Sequence, residues 1–128
     1  MYDFLDRPVA DLSAADRRLL GATRAWVHQL TMTGVAGAVG PEAAEGLGRA
    51  SGAFDAAMRA LDEGSADTLV FERPCDPTVS ELEATWLSIW RLVRADRLRA
   101  AREALTALAD ERAAGVIVAA MVRVTAAG

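Results

Sequence analysis

A chain of 128 residues, 52% hydrophobic and 25% charged, has the composition of one globular domain with a buried core, which excludes a disordered or fibrous chain. A net charge of −4 excludes general attraction to phosphate backbones, so no nucleic-acid partner is expected. The single cysteine excludes a disulfide framework, or a zinc site of two or four cysteines, within one chain.

All fourteen basic residues are arginine and alanine is abundant, which points to a GC-rich bacterial genome. Met1 to Asp6 carries early acids and no long apolar run, so it does not read as a signal peptide. The most apolar stretch, Ala113 to Ala127, contains Arg123 and falls short of the ~20 residues needed to cross a bilayer. A cytoplasmic protein without a membrane span is the expectation.

Residues 1–12 form a lead-in interrupted by Pro8, with Tyr2, Phe4 and Leu5 expected to dock on the domain body. The single helical domain then covers 13–128. Ser13 and Asp16, three apart, are an acidic variant of the capping box and predict a first helix from Ser13. Its apolar face is Leu19, Leu20, Thr23, Trp26, Val27 and Leu30, and the glycines of Thr31 to Gly40 predict the exit loop. Pro41 suits the first turn of a second helix, whose buried face is Ala44, Leu47, Ala50, Phe54, Met58 and Leu61. Gly46, Gly48 and Gly52 each weaken it by up to ~1 kcal/mol, so tertiary packing must hold it. Asp62 to Ser65 ends it.

Ala66 to Val79 is the irregular part. Thr68 to Phe71 favours β structure but is too short to stand as a strand alone, and Pro74 and Pro77 bracket Cys75 and Asp76 in a rigid, extended connector. Ser80 and Glu83 form a capping box for the third helix, in competition with Thr78 and Glu81. Leu82, Trp86, Ile89, Trp90 and Val93 make its stripe, and the two tryptophans one turn apart mark the centre of the core. A tight corner is expected at Ala95 and Asp96, with Asp96 capping a fourth helix that runs to about Glu111 with Leu98, Ala101, Leu105 and Leu108 inward; no glycine or proline separates it from the third, so one long helix is the alternative. Gly115 to Val124 suits a buried terminal helix and also fits a strand. The fold class is all-α, a single-domain bundle of four or five helices with the extended Pro74–Pro77 connector.

Few residues invite chemistry. Cys75 lies shortly before a helix N-terminus and two residues from Arg73, both of which favour the thiolate. The competing reading is a structural cysteine in a connector. His28 has no carboxylate at helical spacing, and pairing it with Cys75 requires distant segments to meet. Glu81 and Glu83 lie on different sides of a helix, and no pair reads as general acid and base. Arg91, Arg94, Arg97, Arg99 and Arg102 are the one basic concentration, spread around a continuous helix with no aromatic residue interleaved on the polar side.

The stretch Ser65 to Pro77, with Pro74-Cys75-Asp76-Pro77 and then Thr78 to Glu83, resembles a family of small all-helical proteins of sphingomonads and related α-proteobacteria. Arg59-Ala60-Leu61 and Asp16 to Leu20 fit the same pattern. Members of that family carry several adjacent cysteines where this chain has Cys75 alone. The resemblance implies the helical fold and, the family having no known activity, no mechanism.

The expectation is a non-enzymatic helical interaction or regulatory module without a cofactor, its partner another protein or a second copy in a homodimer. Two rivals remain: thiol-dependent redox or ligand chemistry at Cys75 with Arg73 and Asp76, and small-molecule binding between helices near Trp86 and Trp90.

Overall fold

The computed structural model describes residues 4–33, 50–65 and 69–127. Tyr2, the loop 34–40, the helix start at Pro41 with Ala44 and Leu47, Gly46, Gly48, and residues 66–68 lie outside the described residues. Five α-helices are described, α1 (Ala14–Thr33), α2 (Ser51–Gly64), α3 (Glu81–Arg94), α4 (Leu98–Leu105) and α5 (Glu111–Ala127), with a 3-10 turn at Val9–Asp11. The described residues contain no strand, so the chain is all-α as its periodicity requires. They belong to two compact units, one drawn from Met1–Gly46 and Val70–Ser88, the other from Leu47–Leu69 and Ile89–Gly128.

In the first unit, Ser13 Oγ accepts the Asp16 N–H at 3.1 Å and starts α1 at the expected place. The helix runs three residues past Leu30, to Thr33, further than the expected loop at Thr31. Thr31 Oγ1 donates to the Val27 carbonyl at 2.9 Å, so its hydroxyl is served within the helix. Phe4 of the lead-in is buried, while Leu5 is exposed. A turn closed by the Arg7 N–H on the Phe4 carbonyl precedes a short antiparallel pairing with the connector. There the Asp6 N–H donates to Val79, the Val79 N–H to Arg7 and the Val9 N–H to Pro77, at 2.8 to 3.1 Å. Neither Pro8 nor Pro77 has an N–H, so this pairing stops at an isolated bridge, Pro8 opposite Thr78.

In the second unit, α2 and α4 both pack on α5. The buried contacts include many alanines, among them Ala57, Ala101, Ala114 and Ala120. Trp90 stacks on Phe54 with centroids 6.1 Å apart. A Cβ placed on Gly64 would overlap the Ala113 Cβ, so glycine is required where α2 ends against α5. The Gly64 carbonyl accepts the Asp110 N–H at 3.0 Å, which fixes the same junction.

The corner after α3 is where expected, but Asp96 has a different role. It sits at φ 61°, with its N–H on the Val93 carbonyl and the Arg97 N–H on the Leu92 carbonyl. This is a Schellman stop with aspartate in the left-handed position usually held by glycine. The N-cap of α4 is Arg97, which makes no side-chain cap bond. Helix α4 also ends at Leu105, short of the expected Glu111, because turns occupy 106–108 and Asp110 starts a new helix. Asp110 Oδ1 accepts the Ala113 N–H at 2.7 Å, and the apolar terminal segment is thereby the helix α5 and not a strand.

Two substitutions should move stability in opposite directions in urea unfolding. Asp96→Gly removes the left-handed strain and is expected to stabilise by about 1 kcal/mol. Gly64→Ala would gain up to about 1 kcal/mol from helix propensity, but the overlap with Ala113 outweighs it and a net loss of about 1–3 kcal/mol is expected.

Candidate functional site

Arg24 lies on the apolar stripe of α1, one turn beyond Leu20, and its side chain is buried with Glu83 of α3. Arg24 Nε donates to Glu83 Oε2 and Nη2 to Oε1, both at 2.8 Å, in the planar two-point geometry that guanidinium and carboxylate share. The remaining donors reach the connector: Nη1 to the Asp76 carbonyl at 2.7 Å and Nη2 to the Thr78 carbonyl at 2.8 Å. Glu83 completes its acceptor set with the Glu72 N–H on Oε2 at 3.0 Å and the Ser80 N–H on Oε1 at 3.1 Å. The Ser80–Glu83 capping box therefore forms, returned by the Glu83 N–H on Ser80 Oγ at 3.2 Å. The competing box does not, because the Thr78 N–H and hydroxyl both donate to Asp76 Oδ1.

Burial pushes the Glu83 carboxyl up, but the hydrogen bonds from Arg24, Ser80 and Glu72 outweigh it and hold the group below its ordinary range. The bond to Glu83 raises Arg24 against the opposing effect of burial. The Thr78 backbone N–H is the largest influence lowering Asp76. Every strong polar interaction here fixes the shape of residues 72–83.

That frame presents Cys75. Pro74 and Cys75 form a turn closed by the Asp76 N–H on the Arg73 carbonyl at 3.0 Å, so the chain reverses there and the paired, extended part is Pro77 to Val79. Cys75 and Arg73 are exposed, Asp76 is half-buried, and His28 is exposed on α1. Among the described residues no group of three or more His, Cys, Asp or Glu is placed to hold a metal ion.

The tryptophans are enclosed. Trp86 is fully buried, donates its indole N–H to Thr23 Oγ1 at 3.0 Å and meets Phe71 edge-on with centroids 6.4 Å apart. Trp90 is buried against Phe54 in the second unit.

An open groove of about 810 Å³ lies between α4 and α5. Its floor is Leu98, Val116, Ala119 and Val122, of which Val116 is 49% and Val122 37% exposed. Arg99 and Arg102 from α4 and Arg123 from α5 flank the floor. Their side chains make no hydrogen bond or ion pair among the described residues, and no carboxylate belongs to the lining. The basic run seen in the sequence is thus divided: Arg91 and Arg94 end α3, whereas Arg99 and Arg102 turn to this groove.

Arg24 and Arg123 were not apparent as site residues from periodicity. Each had a signal, an arginine on an otherwise apolar stripe in α1 and the only charge between Ala113 and Ala127. No described helix is long and apolar enough to cross a membrane. Comparison of the chain with protein-family models, curated proteins and solved structures finds no match.

Arg24→Met or Glu83→Leu alone leaves a buried charge without its partner and is expected to cost about 3–5 kcal/mol in denaturant unfolding. The double variant should still be destabilised by about 2 kcal/mol or more, because the Asp76 and Thr78 carbonyls and the Glu72 and Ser80 N–H groups lose their partners as well. Full recovery in the double variant would contradict this account.

A carboxyl held below its ordinary value stabilises the fold fully above that value, near 4.5 for glutamate, and the contribution is lost as pH falls through the lowered native value. The urea midpoint should therefore drop as pH falls below the ordinary glutamate value, and Glu83→Gln should flatten that slope while lowering the midpoint at neutral pH.

Proposed function

We propose that the chain is a non-enzymatic helical interaction module whose recognition surface is the groove between α4 and α5. One observation carries the reading: an exposed apolar floor and three arginines without a partner among the described residues occupy the same open surface. Exposed apolar side chains ordinarily scatter singly. Here Val116, Ala119 and Val122 recur along one helix face beside Leu98, the pattern that receives a partner element. The buried cation Arg24, by contrast, is committed to Glu83 and the connector. A bacterial source accords with basic residues that are all arginine.

The test is site-specific photo-crosslinking in the source cells, with a benzophenone side chain in place of Ala119 and, as control, in place of the exposed Ala10. A discrete protein adduct from position 119 that is absent from position 10 is the expected result, and it should persist in Cys75→Ser. Adducts from neither position would defeat the reading. Loss of the adduct with Cys75→Ser, the fold being intact, would transfer the function to the thiol.

A further inference from the structure

We infer that the α4–α5 groove binds an acidic amphipathic helix of another protein, its apolar stripe on Val116, Ala119 and Val122 and its carboxylates on Arg99, Arg102 and Arg123. The inference rests on the interaction-module reading and adds the chemistry of the occupant. From Val116 to Arg123 the floor extends about 10 Å along α5, two helical turns, which matches the anchors at i, i+3 or i+4, and i+7 of a docked helix. Ala119, small and exposed between Val116 and Val122, keeps the floor shallow there. A Cβ on Gly115 would come to 3.5 Å from the Arg102 guanidinium, so that cation lies beside the floor and within reach of whatever rests on it.

Charge selects the occupant. Three guanidiniums meet no carboxylate in the lining, on a chain whose net charge is −4, so the patch is opposite in sign to the molecule that carries it. Glu103 lies one turn from Arg99 on α4, yet the two form no ion pair. A second copy applying the same face would set three more guanidiniums against these, and like charges brought together at an interface cost several kcal/mol. A single-stranded nucleic acid would need an aromatic platform, and the lining has none. A small carboxylate would leave most of so open an apolar floor uncovered.

Fluorescence anisotropy with a fluorescein-labelled designed helix of about 16 residues tests this, its leucines spaced i, i+3, i+4, i+7 and flanked by glutamates. A twin has lysine for each glutamate, and a second twin has glutamine for each leucine. The glutamate peptide should bind the full chain at least about tenfold more tightly than either twin. The triple reversal R99E/R102E/R123E should invert the preference toward the lysine peptide, with circular dichroism unchanged. If that variant fails to fold, the milder R99Q/R102Q/R123Q should abolish the preference for glutamate. Equal binding of the charged peptides, binding that survives V116D/V122D, or a wild-type dimer in sedimentation that V116D/V122D dissociates would each overturn the proposal. A crosslinked partner from position 119 combined with peptides that show no charge preference would sink the acidic occupant alone, whereas absence of any crosslink sinks the module reading beneath it.

Discussion

The first unit depends on one buried ion pair, Arg24 with Glu83, because it serves four backbone groups of an irregular connector. Prolines 74 and 77 remove two N–H groups from residues 72–80, and the short pairing with the lead-in reaches Pro77 and Val79 but not Glu72, Asp76 or Ser80. Four backbone groups, the Glu72 and Ser80 N–H and the Asp76 and Thr78 carbonyls, end instead on the two side chains. A guanidinium has only donors and a carboxylate only acceptors, so together they satisfy both kinds of orphan. Buried ion pairs usually gain little over apolar replacements of similar volume. Here the comparison differs, since an apolar pair could not bond to the chain that crosses it. The same carboxylate closes the capping box of α3, and the position of the connector and the start of the helix are therefore one structural decision.

The second unit is organised on the opposite principle. Alanine and glycine at Ala57, Gly64, Ala101, Ala113, Ala114 and Ala120 let α2, α4 and α5 approach closely, with little polar chemistry between them. Small side chains bury little area each, so stability there relies on packing over length and on larger groups such as Met58, Trp90, Leu105 and Met121. Helix α5 is apolar on most sides, and α2 and α4 cover only part of its circumference. The exposed remainder, Val116, Ala119 and Val122, follows from an alanine- and valine-rich helix whose described packing on α2 and α4 is one-sided.

The sequence made local signals legible and concealed those that depend on two distant segments. The Ser13 start, the Ser80–Glu83 box and the Ala95–Asp96 corner are each written within a few residues and appear where expected. Asp96 misled because aspartate both caps helix starts and tolerates the left-handed conformation, and only the backbone distinguishes the two roles. Helix α4 is shorter than expected because alanine and leucine continue through Ala107 to Ala109 while the chain turns, and Asp110 caps the next helix. Arg24 was hidden for a different reason. Its partners lie more than fifty residues away, and a pattern of apolar spacing assigns no role to a charge on the buried stripe.

The basic run makes the same point for the surface. Taken as one helix, arginines at 91, 94, 97, 99 and 102 spread around the circumference and describe a solvated face. The Schellman stop at Asp96 breaks that helix, so Arg99 and Arg102 are directed independently of Arg91 and Arg94, and α5 adds Arg123 from a segment that carries no other charge. The patch is a product of tertiary structure, assembled from two helices across a corner. At physiological salt, fields from exposed charges decay over about 8 Å, so the chain's overall negative charge is largely screened at a distance and the three guanidiniums dominate at contact. Arginine suits such a contact better than lysine, since its planar fork bonds a carboxylate at two points and its weakly hydrated face tolerates apolar neighbours such as Val116 and Val122. Composition alone describes an acidic chain, and it is the corner at Asp96 that turns Arg99 and Arg102 toward Arg123 and gives one surface the opposite sign.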